Sequence, residues 1–150
     1  MGQSVIVACE PSWEVAAFRP IFDQVAGELG VLAVGDDTQL ELREQDIQLP
    51  FPAILYADAD DAGYIEDYAT NELLDPVFRQ QVVAFRFFTI MFHSLEATRR
   101  LLELFAVEAG LRGERAWFDT DYGWVIDARH FLRELEQNPH WDWRFLKEEP

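Results

Sequence analysis

The chain opens on Val5-Ile6-Val7-Ala8, a continuous apolar run of the kind that forms a strand buried on both faces. Pro11-Ser12 interrupts it, and Ser12 stands as an N-cap for a helix from Trp13. Val15, Phe18, Phe22, Val25, Ala26 and Leu29 then recur at helical spacing as far as Gly30, a C-terminal stop. Pro20 inside this stretch predicts a kink, or a second start after a short first turn. Val31 to Val34 is short and apolar, and Gly35-Asp36-Asp37 signals a turn. Leu40 and Leu42 alternate with Gln39, Glu41 and Arg43, as in a half-exposed strand. Pro50-Phe51-Pro52 brackets a loop before another buried strand, Ala53 to Tyr56.

Tyr64, Ile65, Tyr68, Leu73 and Leu74 follow, spaced for a helical stripe from about residue 63 to 74 or for a long irregular loop. From Gln81 to Phe92 aromatic and β-branched residues occupy both parities, which predicts a long central strand covered on both sides. Ser94 caps the clearest helix, with Leu95, Thr98, Leu101, Leu102, Phe105 and Ala109 on its inner face and Gly110 and Gly113 at its end. Arg115 to Phe118 and Trp124 to Ile126 form two short strands around the turn-rich loop 119–123. Asp127 caps a last helix carrying Phe131, Leu132 and Leu135, closed by Asn138-Pro139. Trp141, Trp143 and Phe145 alternate with polar residues in the tail, on one side of an extended segment. These elements predict one α+β domain over residues 1–150, a mostly antiparallel sheet of about six strands packed by three or four helices.

Charge changes this picture more than composition does. Asp and Glu number 28 against 12 Lys and Arg, for a formal net charge of −16. Lys147 is the only lysine. Such a field repels nucleic acid and anionic lipid, whose recognition depends on Lys and Arg, and steers toward basic partners. The densest stretch is 58–75, where Asp58, Asp60, Asp61, Glu66, Asp67, Glu72 and Asp75 stand without one basic residue. The 49% hydrophobic content supplies a core and argues against disorder despite the charge. The apolar run at residues 5–9 is too short for a signal peptide and no stretch reaches the length of a membrane span, so a cytoplasmic protein is expected.

Candidate chemistry is sparse. Cys9 is the sole cysteine, which excludes an internal disulfide and a cysteine-rich zinc site. Asp58, Asp60 and Gly63 match positions one, three and six of a calcium loop, but positions five and twelve are Ala62 and Ala69, so no metal is expected there. Asp119, Asp121 and Asp127 are explained as turn and cap residues rather than as a catalytic carboxylate set. Cys9 and His93 both fall at strand ends and are candidates for a dyad on one sheet edge, although a negative field raises rather than lowers a thiol pKa. The three histidines, His93, His130 and His140, have no metal spacing, and no glycine-rich phosphate loop occurs. Neither catalysis nor a cofactor is expected.

The segment Trp117-Phe118-Asp119-Thr120-Asp121-Tyr122-Gly123-Trp124-Val125-Ile126, before a capped helix with Phe131, resembles the bacterial immunity proteins of polymorphic toxin systems over roughly the last 40 residues. The resemblance implies a small acidic α+β protein that binds a cognate toxin and occludes its basic active site. The expected contact residues are Asp58, Asp60, Asp61, Glu66, Asp67, Asp119 and Asp121, with Tyr122 and Trp124 as aromatic anchors. Two other classes stay open at this point: a small enzyme using carboxylates or a metal, and an adaptor domain that pairs with itself through its aromatics. The charge generates one direct prediction. At about 150 mM salt, where the Debye length is about 8 Å, the purified protein should not retain a labelled DNA or RNA oligonucleotide; a stable retarded band would refute it.

Overall fold

In the sheet, β1 (Gln3–Cys9) pairs on one side with β5 (Arg86–Phe92) and on the other with β6 (Ala116–Asp119). This is the arrangement demanded by apolar runs that expose no polar face. The computed structural model describes residues 3–122 and 124–145. Three more strands, β2 (Leu32–Gly35), β3 (Gln39–Arg43) and β4 (Ala53–Ala57), extend the sheet beyond β5, and β7 (Val125–Asp127) closes its other edge. The order is β2-β3-β4-β5-β1-β6-β7, antiparallel throughout. Five α-helices accompany these seven strands among the described residues: α1 (Arg19–Leu29), α2 (Asp61–Thr70), α3 (Pro76–Gln81), α4 (Leu95–Leu111) and α5 (Ala128–Gln137). The fold is α+β, as expected; each of the seven strands falls on a segment that the hydrophobic pattern marks, and α3 is a helix that the pattern does not predict.

Two boundaries differ from expectation for identifiable reasons. Ser12 caps nothing: its Oγ donates to Glu114 Oε2 at 2.6 Å. Trp13 precedes a 3-10 turn, Val15–Phe18, and packs against Phe18 and Phe105. The α-helix begins at Arg19 with Pro20 in its first turn, where a missing N–H breaks no helical bond. Residues 81–85 are not strand either. Asp75 accepts from Val77 N at 2.8 Å and Pro76 sets the first turn of α3, which runs into a second 3-10 turn, Val82–Ala84. A local start signal thus overrides the β preference of Val82 and Val83, and Val83 is 65% exposed. Two glycine stops are explained by backbone: Gly30 and Gly113 adopt φ of 71° and 68°, whereas Gly110 lies inside α4.

The two faces of the sheet are buried unequally. On one face Val5, Val7, Leu40, Leu42, Leu55, Phe88, Ile90 and Phe118 meet α1, α4 and α5 in the main core. A chain of ring contacts crosses it, Trp13–Phe105–Phe118–Phe131–Trp141, with centroids 4.7–5.9 Å apart. Trp141 and Trp143 therefore belong to the core, and of the three aromatic residues 141, 143 and 145 only Phe145 is exposed. On the other face one row of paired residues, Phe87–Ala8–Trp117, is covered by Tyr68 of α2, Phe78 of α3, and Val82 and Phe85 beyond it. The row farthest from α2, Val34–Glu41–Ile54–Met91–Ser4, has no element over it among the described residues.

Phe87 and Leu101, fully buried on opposite faces of β5 and its neighbours, test this two-sided core. Truncation of either to Ala should cost about 2–5 kcal/mol through cavity formation. The double variant should lose the sum within about 0.5 kcal/mol, since the sites share no partner. Denaturant titrations that overlay the parent would place either residue on the surface.

Candidate partner-binding surface

The chain leaves β4 at Asp58, whose N–H donates to Phe87 O at 3.0 Å, and turns over the end of the sheet into α2. The three aspartates that mimic a calcium loop each do something different here. Asp58 accepts from Thr89 Oγ1 at 2.9–3.0 Å and from the Tyr64 hydroxyl at 3.4 Å. Asp60 caps α2, accepting from Gly63 N at 2.9 Å. A Cβ at Gly63 would lie 2.3 Å from Asp60 Oδ2, so the cap requires glycine there. Asp61 accepts from Phe87 N at 3.2 Å. Among the described residues no three His, Cys, Asp or Glu side chains converge on a metal-sized space. Leu73 lies beyond the helix and is 93% exposed, so the stripe ends at Thr70.

Tyr68 joins this helix to the β6–β7 loop. Its hydroxyl donates to Asp119 Oδ2 at 2.6 Å, while Asp119 Oδ1 accepts from Asp121 N at 2.9 Å. The acidic helix and the acidic loop, 51 residues apart along the chain, are thereby held side by side. Asp121 adopts φ 66°, a conformation that a short polar side chain tolerates. Glu66 and Asp67 on α2, with Asp60 and Asp121, are exposed; Asp58, Asp61 and Asp119 are half-buried. Asp127 Oδ1 accepts from Arg129 N at 2.8 Å and caps α5. Gly123 lies outside the described residues.

The two aromatic anchors part ways. Tyr122 is 45% exposed and meets Phe145 at 4.7 Å, forming a surface pair at the end of the loop. Trp124 is only 8% exposed and donates from Nε1 to Arg144 O at 2.9 Å, the same carbonyl that accepts from Thr120. Trp124 therefore pins the tail and presents no ring to a partner in the free protein. Tyr68, four residues from Tyr64 on the helical stripe, has a role at this surface that the acidic pattern does not mark, and the Phe145 ring meets Tyr122 while its carbonyl accepts from Trp141 Nε1 at 2.9 Å.

Cys9 and His93 do not meet. Cys9 pairs with Arg86 at one end of β5, whereas His93 follows Phe92, which pairs with Gln3 at the other. Burial pushes the Cys9 thiol far up. His93 Nδ1 lies 3.0 Å from Phe51 O, and His130 Nε2 lies 3.2 Å from Glu134 Oε1 on α5.

Electrostatically the two sides of the molecule differ. Arginines on the α1–α4 side sit against carboxylates: Arg19 with Asp23, Arg100 with Glu28 and Glu103, Arg112 with Glu108. The Arg100 hydrogen bonds hold Glu28 down to about 2. Near α2 the available guanidiniums serve backbone instead: Arg79 donates twice to Ala69 O and Arg86 to Trp13 O. Without a cation beside them, Asp58 and Asp119 are pushed above the ordinary aspartate range by burial, although the Thr89 and Tyr68 hydroxyls pull them back.

The folded state consequently holds protons on Asp58 and Asp119 more firmly than the unfolded chain does. Stability from this source is full below the ordinary aspartate pKa and is lost as pH rises through the raised values. Glu28, Asp36 and Asp142, held low by hydrogen bonds, act the opposite way, and their contribution is lost only below the ordinary carboxylate range. The melting temperature should thus climb as pH falls from about 7 to about 4.5, then drop on further acidification. In Asp58→Asn with Asp119→Asn the climb should shrink, beyond the change in a control with the same net charge, Asp37→Asn with Glu72→Gln. Equal slopes in the two double variants would remove the two buried carboxyls as its source.

No protein-family model, no curated protein and no solved structure matches the chain.

Proposed function

We propose that the protein is an immunity protein, which binds a cognate bacterial toxin and neutralises it by covering a basic active site. The observation that carries this reading is the Tyr68–Asp119 bond. It sets α2 and the β6–β7 loop on one side of the sheet as a continuous acidic surface. Residues 58–75 contribute seven carboxylates and no cation to it. The hydroxyls and N–H groups that hold Asp58, Asp60, Asp61 and Asp119 fix their directions, so little side-chain entropy is lost when a cation docks. Tyr122 and Phe145 add an exposed aromatic pair beside the charges, the type of residue on which binding energy concentrates. Inhibition follows from occlusion and needs no chemistry from this chain. The partner is a protein with a basic site; nucleic acid and membrane are not partners, and the compartment is the cytoplasm.

Co-purification with the product of the adjacent gene, and rescue of growth when both are expressed, tests the reading directly. The surface is tested with Glu66→Gln, Asp67→Asn and Asp121→Asn together. These positions are exposed, and Asn suits the backbone at 121. The triple variant should associate roughly tenfold more slowly at low salt and show a weaker salt dependence, with dissociation little changed. Association kinetics identical to the parent would move the interface off this surface.

A further inference from the structure

Among the described residues, the second face of the sheet is covered only at one corner. The row Phe87–Ala8–Trp117 lies under α2 and α3, and the next row, Gln39–Tyr56–Thr89–Ile6–Asp119–Val125, is covered at its β1 and β6 end. No described element lies over the outer row, Val34–Glu41–Ile54–Met91–Ser4, from β2 to β1. Met91 is its exposed member, at 39%, while Val34, Glu41, Ile54 and Ser4 are partly buried; Leu32, one step along β2 on the same face, is 47% exposed. The remaining charge on the row is tied internally, since Glu41 accepts from Arg43. The sheet therefore presents an open floor, apolar at Leu32, Val34, Ile54 and Met91, on which Glu41 is paired with Arg43.

One end of that floor is acidic. Gln39 pairs with Tyr56 and Ala57 with Phe88, so the β2–β3 turn and the start of α2 lie together at one end of the strands. Asp36, Asp37, Asp58 and Asp60 gather there. Hydrogen bonds from Thr38 keep Asp36 low and ionised. A second copy of the chain would bring another charge of −16 onto the same surface, which is repulsive at contact distance.

Building on the immunity reading, we propose that the toxin docks on this open half of the sheet. A segment bearing an apolar side chain would rest on Ile54 and Met91, with Arg or Lys side chains reaching Asp36, Asp37, Asp58 and Asp60 at its end. The floor supplies the desolvated centre of the interface and the aspartates its charged rim. The acidic side of α2 then borders the bound toxin, which joins the two surfaces into one.

The probe is the protein encoded by the adjacent gene, produced in an inactivated form. Met91→Arg places a long cation at the centre of the floor, and Val107→Arg places the same charge on α4, on the opposite side of the molecule. Both positions are partly exposed, and thermal melts of the two variants serve as the check that each folds. The proposal expects Met91→Arg to weaken binding by roughly thirtyfold or more and Val107→Arg to leave it within about twofold. A readout free of mutations accompanies it: in the parent complex, hydrogen exchange should slow in peptides covering residues 32–43 and 53–58 and not in those covering α4. If the probe binds the parent but Met91→Arg binds as well and those peptides are unchanged, the docking surface is overturned while the immunity reading stands. If the probe does not bind the parent at all, the immunity reading fails and the docking surface falls with it.

Discussion

The structure turns on the need to bury a single row of side chains, Phe87–Ala8–Trp117, on the face of the sheet away from the main core. Where β5 and β1 meet at Phe87 and Ala8 they are apolar on both parities and have no polar side chain to turn to solvent. Leaving Phe87 and Trp117 exposed would cost about 1.5–3 kcal/mol for each large side chain. α2 and α3 exist to cover them, and their length limits how much more they cover. Because α2 must lie there, its carboxylates are delivered to the same side as the β6–β7 loop, and Asp58 and Asp119 are trapped at its margins. The helix is held down by rings as well as by hydrogen bonds: Tyr64 and Tyr68 stack on Phe87 at 5.2 and 5.8 Å, and Tyr68 meets Phe78 at 5.1 Å.

Charge is distributed so that this corner stays uncompensated. Nearly every basic residue is an arginine, and the planar guanidinium is put to structural use by pairing with carboxylates, bonding carbonyls or lying over a ring, as Arg112 does over Trp13 at 4.4 Å. The ion pairs of the α1–α4 side are largely exposed and add little stability each. Their effect is to neutralise that side locally. Around α2 the contrast is local: residues 58–75 hold seven carboxylates and no basic residue.

Much of this was legible where a single physical rule governs. Alternation placed β3, Ser94 marked the start of α4 with its Oγ accepting from Ala97 N, and Asp127 marked that of α5. The loop between β6 and β7 was legible from its turn formers. The failures came where two rules compete or where the decisive contact is distant in sequence. Val82 and Val83 have strand composition, but Asp75-Pro76 upstream had already started a helix that carries into them. Ser12 has cap composition, yet Glu114, 102 residues away, takes its hydroxyl. Trp124 reads as a surface anchor until Arg144 O is folded back onto its Nε1. The acidic residues of the site were all visible as residues, but their convergence depended on Tyr68 and Asp119, which no local pattern links.

The raised carboxyls tie the proposed binding surface to the stability of the free chain. Asp58 and Asp119 are destabilised as anions because burial removes water and no cation replaces it. A basic side chain brought to either one would supply that cation, lower its pKa and draw a proton off at acidic pH. Binding and proton release are then linked, so the affinity must rise with pH across the range in which the free protein holds those protons. The same cation relieves the self-repulsion that a net charge of −16 imposes on the compact state. A ligand that binds only the folded form adds stability in proportion to the logarithm of its concentration over Kd. The features that make the isolated fold costly, buried anions at a corner and charge of one sign around it, are the ones that a basic partner would convert into binding energy.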